Sequence, residues 1–292
     1  MQSNQLKRPT LFFLAACIAA GAAQADRSWS EPKKPFTVYG NSHYVGTAGI
    51  SAVLITSPQG HVLIDGTTAQ GAEVVAANIR TLGYRLEDVK YILSSHSHED
   101  HAGGISALQK LTGAVVLAGA GNVEALRTGI SPRHDPQFGA LSNFPGAANV
   151  RAVADREVVV LGPLAITAHH TPGHTAGGVS WTWQSCEGGA CKSLVFGDSL
   201  TAVSADTYRF SANPDVVAAL KSSFAKVEAL PCDVLIAAHP DANDMWARHA
   251  RAAREGSAAY VDAGACRALV EKGRQRLTNR LAEELRGAQQ AK

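Results

Sequence analysis

Apolar residues alternate with polar ones in two blocks of this chain and recur at helical spacing around them. The first block holds four short runs rich in β-formers, at residues 36–39, 44–46, 51–56 and 61–64, and its turn punctuation predicts four strands. The period then changes. Val74, Val75, Ile79 and Leu82 share one helical face and predict a helix over residues 70–83. The run Val89-Lys90-Tyr91-Ile92-Leu93 predicts a strand over 89–94. The second β-rich block covers 158–196, with strand candidates at 179–183 and 193–196. Asn213-Pro214 reads as an N-cap followed by proline in the first helical turn, and Val217, Leu220, Phe224 and Val227 carry that helix to about residue 230. Val234-Leu235-Ile236 is a further strand-like run. Two β-blocks, each followed by helices, suggest two packed sheets with helices outside, a four-layer αβ/βα sandwich, although composition and spacing alone give only an α/β protein.

The chemistry concentrates where the 89–94 strand ends. Residues 96–101 read His-Ser-His-Glu-Asp-His, three imidazoles and an aspartate in one turn. His96 and His98 are spaced i, i+2, so an extended backbone sends both to the same side, where they can hold one ion. Asp100 and His101 follow and can face a second. His174 ends the turn His170-Thr171-Pro172-Gly173-His174, and His239 follows the strand-like run at 234–236. Both lie at the carboxyl end of a strand-like run, where open α/β sheets place ligands. Two sets of three result: His96, His98 and His174, then Asp100, His101 and His239. Imidazole nitrogen and carboxylate oxygen are ligands that zinc accepts, and three protein ligands leave room for water, as catalytic sites require.

The order His-x-His-x-Asp-His, a Pro-Gly-His turn, Gly197-Asp198-Ser199-Leu200 and a late His-Pro resembles the metallo-β-lactamase superfamily. Within it the pattern is most similar to the third subclass of class B β-lactamases, over about residues 35–266. No cysteine falls in the metal motifs; Ser199 resembles the position near which other subclasses place a cysteine ligand, and His101 supplies the ligand instead. The resemblance implies the same four-layer fold, two zinc ions per chain, and hydrolysis of the β-lactam amide by a zinc-activated hydroxide that Asp100 orients. It also implies that Ser199 and Thr201 hydrogen-bond the substrate carboxylate. Asp65, in Asp65-Gly66-Thr67, resembles the first superfamily motif and is expected to support the ligands without touching metal. Asp198 is expected to be a structural neighbour of the site, although in related thioesterases and lactonases an aspartate in this setting bridges both metals.

Residues 1–25 read as a cleaved export signal: Lys7 and Arg8, an apolar run over 11–20, then Ala23-Gln24-Ala25. The apolar run is well short of the ~20 residues that span a bilayer. Leu14-Ala15-Ala16-Cys17 also resembles a lipoprotein box, a less favoured route to the same periplasmic location. Residues 26–292 then form one expected domain. Losing Lys7 and Arg8 brings the 27 basic residues level with the 25 acidic ones, and no basic stripe appears, which argues against a nucleic-acid partner. A small-molecule β-lactam and a monomeric chain are expected instead. Of five cysteines, Cys186 and Cys191 bracket a hairpin-like turn that a disulfide would staple. A Cys232–Cys266 bridge is implied by the resemblance.

The long Pro-, Gly- and Asp-rich stretch over 127–156 and the loop at 46–51 are candidates to flank the site. Two rival functions stand beside the β-lactamase. One is an exported superfamily hydrolase of another ester, thioester or lactone. The other is a non-enzymatic metal-binding protein, which would be expected to close its coordination with a fourth protein ligand.

Overall fold

The structure, a computed structural model, describes residues 28–290. The expected export signal and Cys17 lie outside the described residues. Seven strands form the first sheet in sequence order: β1 (Phe36–Tyr39), β2 (Ser42–Tyr44), β3 (Val53–Ile55), β4 (His61–Ile64), β5 (Val89–Leu93), β6 (Val115–Gly119) and β7 (Val150–Val153). The first four pair antiparallel and the rest parallel. The second sheet runs in the order β12 (Val234–Ala237), β11 (Ala190–Gly197), β10 (Val179–Glu187), β9 (Leu164–His170), β8 (Val158–Leu161). Strands β11 and β12 are parallel and the remaining pairs antiparallel.

Side chains on alternate strand positions divide between two interiors. Val53, Ile55, Val62 and Ile64 point between the sheets, against Ile166, Trp181, Phe196 and Ile236. Their neighbours Leu54 and Leu63 point the other way, into a layer made with Val75 and Ile79 of α1 (Gly71–Thr81) and Ile105 and Leu108 of α3 (Ile105–Thr112). A one-residue slip would exchange the two sets, so burial on both faces fixes register. Beyond the second sheet, Val195 and Leu235 pack on Leu220 and Phe224 of α5 (Pro214–Glu228) and Leu269 and Val270 of α7 (Ala265–Gln290). The expected four layers are thus present.

Several boundaries differ from the sequence reading. The runs at 44–46 and 51–56 contribute only β2 and β3, because the intervening chain turns back on itself through Val45 N–H to Ala52 O, 2.8 Å, and Thr47 N–H to Ile50 O, 3.0 Å. Strands β6 and β7 were not foreseen. Asn213 stands at the start of α5 but makes no side-chain capping bond; its amide donates instead to Arg209 O at 2.7 Å.

Both disulfides are formed. Cys186 and Cys191 face each other across the β10–β11 hairpin, Cα–Cα 4.0 Å, and Cys232–Cys266 joins the lead-in of β12 to α7. The second closes a loop 34 residues long, a constraint of about 3–4 kcal/mol in the chain-entropy model. It fixes α7 beside the strand that carries His239.

Candidate metal centre

Strands β4, β5, β9, β11 and β12 end along one edge of the sandwich, and each delivers a polar side chain there. Asp65 follows β4, His96 and His98 follow β5, His174 follows β9, Asp198 follows β11 and His239 follows β12. Val179 N–H to Ser95 O, 2.8 Å, stitches the two sheets together beside them. The short helix α2 (Glu99–Ala102) turns Asp100 and His101 back into the same space. Its close approach needs Gly104, where a Cβ would stand 2.2 Å from Gly66 O. Asp65 and Thr67 hold positive φ in the facing turn, backbone strain of the kind that collects at functional sites.

The first set is symmetrical. The rings of His96, His98 and His174 lie 4.8–4.9 Å apart, centroid to centroid, and all three are buried. Each has one nitrogen occupied from behind. His96 Nδ1 donates to Asp198 Oδ1 at 2.8 Å, His98 Nε2 to Asp135 at 3.1 and 3.2 Å, and His174 Nδ1 to the Thr201 carbonyl at 2.9 Å. Those bonds fix the tautomers and leave lone pairs on His96 Nε2, His98 Nδ1 and His174 Nε2. His96 Nε2 is buried with no partner. The Gln137 amide stands 3.3 Å from both of the others. Burial and the surrounding histidines push His96 well below the usual imidazole range, and burial lowers His174 to about 3. Three buried imidazoles whose front nitrogens converge on one point suit a cation, so this donor set fits a metal ion.

The second set carries charge. His101 Nε2 lies 3.1 Å from Asp100 Oδ2 and 3.1 Å from His239 Nε2, and His239 Nε2 lies 3.4 Å from Asp100 Oδ2. Those separations suit ligands of one ion. Burial works against charge on His101, but Asp100 and Asp65 outweigh it and raise its pKa to about 10. Burial likewise pushes Asp100 up, and His101 outweighs it, holding the carboxyl below the usual range. Burial and His101 lower His239 to about 4. Asp65 acts as expected from the side: it accepts from Ser95 N–H at 2.7 Å and Ser95 Oγ at 2.6 Å, and its Oδ2 lies 3.5 Å from His101 Nδ1.

The six expected residues lie at one sheet edge, His239 joining through His101 and Asp100. His96, His98 and His174, and His96, Asp100 and His101, offer donor atoms within 4.8 Å of one another. Asp198 is more than a neighbour, because it holds His96 directly and its other oxygen lies 3.4 Å from Thr171 Oγ1. Ser199 and Thr201 line the adjoining cleft of about 500 Å³ with Trp29, Gln137 and Leu141. The Thr201 hydroxyl also lies 3.2 Å from His174 Nδ1. The 127–156 stretch does flank the site, through Asp135, Gln137 and Leu141. The 46–51 loop runs beside His239, where Ser51 N–H donates to Ala238 O at 2.9 Å. The roles of Asp135 and Gln137 were missed; nothing in His134-Asp135-Pro136-Gln137 distinguishes them from an ordinary polar turn.

The metallo-β-lactamase superfamily model matches residues 45–239, the span that contains all six expected ligands. The chain belongs to the metallo-β-lactamase superfamily. Among solved structures, this metallo-β-lactamase fold superposes on the metallo-β-lactamase SMB-1 with TM-score 0.87 and 71% identity, over 88% of this chain and 99% of that one. It matches MEM-A1, a subclass B3 enzyme from a soil metagenome, with TM-score 0.87 and 53% identity over 89% and 99%. MIM-1 from Novosphingobium pentaromativorans matches with TM-score 0.84 and 43% identity over 89% and 94%. The likeness to the third subclass, read from metal motifs without a cysteine and from Gly197-Asp198-Ser199-Leu200, is borne out by these neighbours. A hydroxyacylglutathione hydrolase of Anaeromyxobacter dehalogenans is 31% identical over 111 residues, 38% of this chain. The chain spans about a third of the length of that curated relative, 32%. No helix among the described residues is long and apolar enough to cross a membrane.

Proposed function

We propose that this protein is an exported, monomeric subclass B3 β-lactamase. It hydrolyses the amide of penicillins, cephalosporins and carbapenems with two zinc ions and so confers resistance to them. In this reading residues 1–25 direct it to the periplasm and residues 26–292 form its one domain. The observation that carries the proposal is the pair of convergent donor sets at one sheet edge. His96, His98 and His174 would hold the first zinc; Asp100, His101 and His239 would hold the second. When bound, zinc supplies Lewis acidity and a water nucleophile that is deprotonated near neutral pH.

The chain's own residues do the rest. Asp198, Asp135 and the Thr201 carbonyl aim the three imidazoles of the first set. The Asp100 carboxylate orients the attacking water. Ser199 and Thr201 offer hydroxyls to the substrate carboxylate.

Likeness to hydroxyacylglutathione hydrolases favours one second reading, a thioesterase. Both readings are tested by assaying zinc-loaded protein against a penicillin, a carbapenem and a glutathione thioester. β-Lactam hydrolysis that a chelator abolishes, zinc restores and serine-acylating inhibitors leave intact supports the proposal. Turnover of the thioester alone, or β-lactam hydrolysis surviving confirmed metal removal, would overturn it.

A further inference from the structure

The cleft beside the metal ligands is lined by one Lys or Arg side chain among the described residues, Arg276 of α7. Its placement follows from the helix. Leu269, Gly273, Arg276 and Arg280 are spaced by four, three and four residues, so they form one stripe. Gly273 lets that stripe press onto the end of β11: a Cβ there would stand 2.5 Å from Leu200 O. Leu269, a turn earlier, is buried and lines the cleft, and the Cys232–Cys266 bridge anchors the start of the helix. Arg276 therefore stands over Ser199, Leu200 and Thr201.

Its neighbours on the helix are committed elsewhere. Arg280 donates to Ser204 Oγ at 2.8 Å and Tyr208 O at 3.0 Å and pairs with Glu284 at 2.7 Å. Lys272 donates to Ala242 O at 2.9 Å. Arg276 is exposed and has no hydrogen-bond or ion-pair partner among the described residues. It also lines the open groove of about 930 Å³ that continues from the cleft along α7. The rest of the cleft offers an anion only neutral donors, and one of these, Thr201 Oγ1, is shared with His174.

Resting on the β-lactamase reading, we propose that Arg276 is a specificity-determining residue. Its guanidinium receives the carboxylate of the substrate's fused ring, alongside the Ser199 and Thr201 hydroxyls, and selects acidic substrates over neutral ones. An arginine fork matches carboxylate geometry and stays charged throughout the working pH range. Substituents beyond the carboxylate would run into the groove that Arg276 also borders.

The test compares zinc-loaded wild type with Arg276→Gln, Arg276→Lys and Lys272→Gln, using a β-lactam acid and its carboxylate ester. Arg276→Gln is expected to lower kcat/KM for the acid about five- to tenfold, through KM, with less than a twofold difference on the ester. Arg276→Lys should recover part of that loss, and Lys272→Gln should behave as wild type. Added salt should raise the wild-type KM for the acid more than that of Arg276→Gln. Equal losses on acid and ester, an equal effect of Lys272→Gln, or an Arg276→Gln KM matching wild type would overturn the inference. Wild type that hydrolyses no β-lactam would overturn the functional reading with it, which separates the two failures.

Discussion

The two donor sets solve the problem of clustering histidines in opposite ways. His96, His98 and His174 are each held from behind by a group outside the set: Asp198, Asp135 and Thr201 O. Asp100, His101 and His239 hold one another, with a proton on His101 shared between a carboxylate and a second imidazole. The first set is pre-organised, so a metal finds oriented lone pairs there and displaces little. The second must give up an internal ion pair before it can accept one, and His239 is partly exposed. Zinc should accordingly bind the first set more tightly and leave it last on dialysis.

The widest separation between the sets should come from His101→Ala. It removes one of three ligands from the second set and leaves the supports of the first untouched. Zinc content should fall from two ions per chain towards one, and turnover should fall about a hundredfold or more. Two retained zincs, measured by elemental analysis after dialysis, would show that the second ion does not depend on this set.

A smaller effect is expected one step back from the first set. Asp135 accepts from His98 Nε2 with both oxygens and from Gln137 N–H at 2.8 Å. Although burial works against its charge, the bonds from His98 keep the carboxyl below its ordinary range, so the charge is in use. An asparagine has one acceptor oxygen for these two donors. Asp135→Asn should therefore weaken zinc at the first set about 10- to 100-fold, the usual cost of losing such a partner. Competition against a chromophoric chelator reads this directly, and an unchanged affinity would show that His98 needs no support.

The candidate ligands are more legible in the sequence than the groups that aim them. His96, His98, Asp100 and His101 sit within six residues, and a run of that kind can be read without a fold. His174 and His239 needed only the rule that strand ends carry ligands. The supports are single polar residues brought in from far along the chain, 37 residues on for Asp135 and 102 for Asp198. Their meaning lies in distance and not in pattern. The fold shows the same limit. Alternation exposed the antiparallel strands, but β6 and β7 are short, parallel and embedded among loops, where periodicity has too few residues to register. Arg276 was invisible for a further reason: on a long charged helix nothing local marks the one cation that a glycine, three residues earlier, lets down onto the site.

Asp198→Asn should have the smallest effect of the three substitutions, and it discriminates most finely between reaction classes. If Asp198 bridged two metals, as in the thioesterase-like setting, its negative charge would be needed and both ions would weaken on its loss. Here Oδ1 is taken by His96 Nδ1 at 2.8 Å and Oδ2 lies against the Thr171 hydroxyl at 3.4 Å, so both oxygens already have partners in the chain. Burial drives the carboxyl well above its ordinary range, which means the surroundings resist the charge that the substitution removes. Asparagine can still accept from His96 with its oxygen, and the Thr171 hydroxyl can rotate to accept from the new amide. We expect two zincs retained, zinc affinity at the first set down by no more than about tenfold, and substantial β-lactam turnover. The order of damage should run His101→Ala, then Asp135→Asn, then Asp198→Asn. Loss of both zincs from Asp198→Asn, measured beside His101→Ala, would reverse that order and assign Asp198 to the metals themselves.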